Sequence, residues 1–256
     1  MTSFPYRSLN LSLILSTLLA SACVAQEKVN PEDSKIMDAY KKGDFSTVIT
    51  LTEKSSATPQ LVHEARSAAF ERRGEQSFFD GDIDKSIADF DQYIALNPTR
   101  EPHHWQRGIS YYYAKSYKKG KAQFEVHQTV NSQDVENAVW HFLCAVRAPE
   151  GNVDLARKIF IPIDSDQRIP MKEIHALFAG KGNAEAVLEA AKSGSPSADN
   201  LRNQLCYAHL YLGLYFEALG QKEKSAQHIR LAAVDYKTDH YMGKVAQVHA
   251  KLRGIK

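Results

Sequence analysis

Two stretches of this 256-residue chain repeat one another at an offset of 34 residues. Arg73, Gly74 and Phe90 recur as Arg107, Gly108 and Phe124. A period of that length is one supersecondary unit laid against the next, and for all-helical units it means a helix–turn–helix hairpin. One hairpin cannot bury its own apolar face. Neighbours therefore stack into an array that offers a long surface rather than a deep reaction pocket. The expected fold is all-α, a superhelix of about five helical hairpins plus a C-terminal capping helix.

Local patterning agrees along the chain. Ile83, Ile87, Phe90 and Ile94 follow spacings of 4, 3 and 4, which places them on one helical face. Asp82 suits the N-cap of that helix, Gly81-Asp82 the turn before it, and Pro98 the position just past its end. Gly74 and Gly108 fall inside helices, where glycine costs about 1 kcal/mol unless a neighbour must approach closely. A third clear unit carries Gly213, Phe216, Gly220, Ser225, Ile229 and Ala232. Weaker hairpins are expected over 137–160, with Trp140, Ala156 and Phe160, and over 171–191, interrupted at Gly180 to Asn183. Tyr40, Gly43-Asp44 and Ile49 suggest another near the N-terminus. Ile161 to Pro170 and the Ser/Gly/Pro-rich Ser193 to Asn200 read as loops. The final helix sets Tyr241, Val245, Val248 and Leu252 on one face and Lys244, Gln247 and Lys251 on another, the pattern of a solvated end-cap.

This pattern resembles the tetratricopeptide repeat, a 34-residue helical hairpin, in Phe70, Gly74, Gly81, Ser86, Phe90 and Pro98 of one unit and Gly108, Tyr111, Gly120 and Phe124 of the next. The best repeats cover 67–100, 101–134 and 206–239 of a repeat domain at 34–256. In that family the first helices line a concave face. The resemblance therefore implies a partner-binding groove built from Glu71, Glu75, Phe79, Trp105, Ile109, Tyr112 and Tyr113, together with Ala68, Phe78 and Pro102. Aromatic groups there would suit an extended peptide or a partner helix. An aromatic stripe at helical spacing also serves as core, and both readings stand for each of these residues. Lys115, Lys118, Lys119 and Lys121 crowd one turn and read as a solvated face or as a contact for an acidic partner.

The first 22 residues are set apart. Arg7, the apolar run from Leu9 to Ala20 and the small residues Ser21-Ala22 form the layout of a secretory signal. Cleavage before Cys23 would expose a cysteine for lipidation and a membrane tether, whereas cleavage after Ala22 or Ala25 without lipid would release a secreted chain. Residues 23–33 read as a linker. Tyr211-Leu212-Gly213-Leu214-Tyr215 and the segment Gln106-Arg107-Gly108-Ile109-Ser110-Tyr111-Tyr112, in this order of elements, are similar to the bacterial NlpI-type lipoproteins. That resemblance implies a homodimeric scaffold on the periplasmic face of the outer membrane, one that recruits a processing protease or a peptidoglycan hydrolase. Without the lipid, the location becomes soluble periplasmic or secreted.

Motifs for chemistry are missing. His103-His104 are adjacent on a helix and diverge by about 100°, a poor chelate. His63-Glu64 lacks the second histidine of a zinc-protease helix. Gly180-Lys181-Gly182 lacks a dinucleotide-binding context, and Asp164-Ser165-Asp166 lacks the rest of a calcium loop. Cys144 and Cys206 sit in apolar helical stretches, either paired or as buried free thiols. With 32 basic against 30 acidic side chains, no basic stripe argues for nucleic acid. The expectation is a non-enzymatic envelope adaptor with no cofactor and no metal. The alternative is a binding module for a non-protein envelope ligand such as a peptidoglycan fragment.

Overall fold

Every regular element among the described residues is helical. The computed structural model describes residues 30–53 and 55–256, so the segment 1–22 and Cys23 lie outside the described residues. The first helix among the described residues, α1 (Pro31–Lys41), begins within the stretch read as a linker, because the Asn30 side chain accepts from the Glu32 N–H and Pro31 suits the opening turn. It pairs with α2 (Phe45–Glu53). No helix among the described residues is long and apolar enough to cross a membrane.

Three hairpins share one construction. They are α3 (Pro59–Asp80) with α4 (Ile83–Leu96), α5 (Trp105–Tyr113) with α6 (Tyr117–Gln128), and, after four intervening helices, α11 (Ala198–Ala218) with α12 (Lys222–Arg230). In each, a glycine of the first helix meets the residue 16 positions on in the second. A Cβ on Gly74, Gly108 or Gly213 would stand 2.6, 2.7 and 2.6 Å from Phe90, Phe124 and Ile229. That close approach is the reason glycine is kept in three helix interiors. The turns also match. Gly81, Lys115 and Gly220 all take a left-handed backbone, with φ of 81°, 59° and 74°. The pairs Gly81 N–Phe78 O with Asp82 N–Ser77 O, Lys115 N–Tyr112 O with Ser116 N–Tyr111 O, and Gly220 N–Glu217 O with Gln221 N–Phe216 O close the three helix ends in the same way. The first two hairpins join through the buried Ser86 and Ser110 hydroxyls, 3.0 Å apart.

Between them lie α7 (Val135–Arg147), α8 (Val153–Lys158), α9 (Met171–Phe178) and α10 (Ala184–Lys192). The Ser193 to Asn200 stretch is shorter as a loop than its composition suggests, since Ser197 caps α11 and residues 198–200 already form its first turn. The long α11 is apolar on most sides from Leu205 to Leu214 and is buried there, as expected of a helix surrounded by others. Cys144 and Cys206 are buried free thiols.

The last helix, α13 (Tyr241–Arg253), departs from its sequence pattern. Lys244, Gln247 and Lys251 keep a polar face partly in solvent, but the buried face is wider than the apolar stripe. Met242, Gly243, Val245, Ala246, Val248, His249 and Ala250 are all buried, while Leu252 is exposed. The helix folds back across α3, α11 and α12. Tyr241 packs on Phe78 and Phe79 with ring centroids 6.0 and 5.2 Å apart, and Lys251 Nζ donates to the Asp80 carbonyl at 2.7 Å. Small residues at 243, 246 and 250 let it sit close. One small core gathers around Ile36, Val48, Phe70 and Ile94. A larger one runs from Phe78 to Ala250 and includes α13.

Candidate functional site

The residues expected to line a groove divide into two groups. Glu71, Glu75 and Phe79 on α3 and Trp105 on α5 remain partly exposed. Glu75 pairs with Arg72 at 3.0 Å. Burial raises the carboxyls of Glu71 and Glu75 above the ordinary range, and for Glu71 the neighbouring Glu75 charge adds to it. Phe79 meets Tyr241 edge-on, and Trp105 meets the same ring at 4.7 Å and 78°.

Ile109, Tyr112 and Tyr113 form the second group and are core rather than groove, with 0, 2 and 8% of their surface exposed. The cause is long-range. The Tyr112 hydroxyl donates to Glu217 Oε2 at 3.1 Å, and its ring stacks edge-on to Trp140. The Tyr113 hydroxyl lies 3.0 Å from His249 Nδ1 on α13. Phe78, also expected to point into the groove, is likewise fully buried and belongs to the core. Helices 105 to 136 residues further along the chain cover this part of the first-helix face.

A cleft of about 200 Å³ remains open beside Trp105. Trp105 on α5, Trp140 on α7, Tyr207 on α11 and Tyr241 on α13 supply its aromatic lining. Its polar side is an ion network. Arg168, from the loop before α9, reaches Asp134, Glu136 and Asp166 at 2.6, 2.5 and 2.6 Å. The Tyr211 hydroxyl donates to the other Glu136 oxygen at 2.5 Å. Burial raises the Glu136 carboxyl despite Arg168. Burial acts in the same direction on Asp166, but hydrogen bonds from Arg168 outweigh it and hold that carboxyl below its usual range. Gln133 Oε1 accepts from the Asp164 and Ser165 N–H groups and ties the loop to the start of α7. The Asp164-Ser165-Asp166 stretch is thus a strut for this loop.

Sequence reasoning reached Trp105 and Ile109 of this cleft. It named Trp140 only as a hairpin marker and Tyr241 only as part of an apolar stripe. Arg168, Tyr207 and His127 carried no spacing signal, because they meet only when α7, α11 and α13 pack together. The one available clue was that Trp105 and Trp140 are the only two tryptophans of the chain. Among the described residues no group of three or more His, Cys, Asp or Glu is placed to hold a metal ion. No model of a known protein family matches the chain.

Proposed function

We propose that this protein is a non-enzymatic adaptor of the cell envelope, built on a tetratricopeptide-like superhelix, that holds a partner protein against the first-helix face. The observation that carries the reading is the threefold recurrence of one hairpin, with its glycine contact at a 16-residue separation and its left-handed turn. Stacked hairpins of one design create extended concave surfaces suited to binding. The contact face is Glu71, Glu75, Phe79 and the exposed part of Trp105, and the partner segment carries a basic residue opposite the two glutamates. The envelope location rests on the signal-like residues 1–22 and on Cys23 as the lipid-bearing N-terminus. The resemblance to NlpI-type lipoproteins makes a periplasmic protease or a peptidoglycan hydrolase the partner class, and a homodimer the working assembly.

A photocrosslinking amino acid at Phe79, in cells, tests the partner. The expected result is one discrete protein adduct that disappears when Glu71 and Glu75 are both changed to Lys. Adducts that are absent, or unchanged by the charge reversal, overturn the reading. Cys23→Ser tests the tether: the protein is expected to leave the membrane fraction, and retention there removes the lipid from the proposal. A second reading, a small envelope ligand, is favoured by the cleft beside Trp105.

A further inference from the structure

The cleft contains an unsolved hydrogen-bonding problem. Three of its lining side chains, His127, Asn137 and Trp140, are 5, 3 and 1% exposed, and each carries a polar atom with no partner: Nε2, Oδ1 and Nε1. Native interiors rarely leave such groups unmatched. The role of each atom is set by what the rest of its side chain does. His127 Nδ1 lies 2.8 Å from the Pro102 carbonyl, which can only accept, so the proton is on Nδ1 and Nε2 is a bare acceptor. Burial lowers the pKa of this imidazole and favours that neutral form. Asn137 Nδ2 donates to the Phe124 carbonyl and to Gln128 Oε1, which orients the amide and leaves Oδ1 as an acceptor. The Trp140 indole N–H can only donate. An occupant that displaces the side chains now covering these three atoms must bring two donors and one acceptor.

Electrostatics give the occupant a sign. Asp134, Glu136 and Asp166 face the single guanidinium of Arg168. The balance stays negative even with Glu136 protonated, and no lysine lines the cleft. The aromatic faces of Trp105, Tyr207 and Tyr241 add a surface that attracts cations. About 200 Å³ is below the size of a drug-like site and admits one residue or a molecule of similar bulk.

We propose that the cleft binds a protonated primary amine with a carbonyl beside it, the group presented by an amino-acid amide, either as a free small molecule or as the first residue of a peptide. The ammonium donates to His127 Nε2 and Asn137 Oδ1, and the carbonyl accepts from Trp140 Nε1. A free amino acid is disfavoured, because its carboxylate would face the acidic cluster. This inference stands apart from the adaptor reading, since amide binding and partner crosslinking are measured independently.

Both tryptophans of the chain line the cleft, so their fluorescence reports on this site. Leucinamide is expected to change the emission saturably. N-acetyl-leucinamide, which lacks the ammonium, binds about tenfold more weakly or worse, and so does 3-methylbutylamine, which lacks the carbonyl. Trp140→Phe, followed through Trp105, weakens leucinamide and leaves 3-methylbutylamine unchanged, a split that mere loss of packing would not give. Should that variant not fold, Tyr207→Leu is expected to weaken both amines together. A tripeptide with N-terminal leucine binding more tightly than leucinamide assigns the site to a peptide N-terminus, and the reverse order to a small molecule. No saturable change with leucinamide at millimolar concentration overturns the proposal. So does equal binding of the acetylated compound or of the bare amine.

Discussion

Lys115 holds a φ of 59° at the turn position where the other two hairpins have Gly81 and Gly220. A side chain in the left-handed region costs 1–2 kcal/mol, part of which glycine would return as greater freedom of the unfolded chain. Lys115→Gly is therefore expected to stabilise the protein by about 1 kcal/mol, read as a rise in urea midpoint. A fall in midpoint would mean that the lysine side chain matters more than its backbone. The opposite substitution tests the helix contact. Gly108→Ala puts a Cβ 2.7 Å from the Phe124 ring, and the overpacking costs about 1–3 kcal/mol. Pairing it with Phe124→Leu should recover much of the loss, whereas two additive losses would show that the ring is not the obstacle. The arginines before these glycines also repeat, with different partners. Arg73 meets the Asp89 carboxylate at 2.7 Å, whereas Arg107 meets neutral Gln123 and takes its charges from Asp91 and Glu101.

Among the helices, α13 decides what the array can present. It covers Tyr113 through His249, packs on Phe78 through Tyr241, and completes the cleft with that same ring, while α7 and α11 cover Tyr112. Val245 is fully buried, so Val245→Ala is expected to cost roughly 2 kcal/mol in urea unfolding. A loss near zero would detach α13 from the core. The apolar stripe of α13 was legible from its spacing. Its direction of packing was not, because Gly243, Ala246 and Ala250 have too little side chain to mark a face, and Lys251 reaches a carbonyl at Asp80, 171 residues away.

Across the whole molecule, buried imidazoles tie stability to pH. Burial holds His104 down to about 3, and His209 and His249 down to about 4, from an ordinary value of 6.5. For His209, the His228 ring 2.8 Å away adds to the effect. These groups are neutral in the fold and bind protons in the unfolded chain below pH 6.5. Their stabilisation is therefore complete above that pH, declines as pH falls and levels off near their folded values. Between pH 7 and pH 5, His249 alone accounts for about 2 kcal/mol. His249→Gln should flatten the fall of the urea midpoint over this interval, and an unchanged slope would place the titration elsewhere.

The helical class, the three best hairpins and their turns were readable from residue order, because each rests on contacts between neighbours 16 residues apart or closer. Those contacts form within one hairpin whatever the rest of the chain does. Trp105 was named as a candidate only through the groove positions that the repeat resemblance implies, and the structure leaves it partly exposed. The exclusion of Ile109, Tyr112 and Tyr113 from the surface, and the meeting of His127, Asn137, Trp140, Arg168 and Tyr207 in one cleft, were decided only by tertiary structure. Their partners come from α7, α11, α13 and a loop, and residue spacing carries no record of how separate helices choose one another when apolar faces of similar shape compete for the same core.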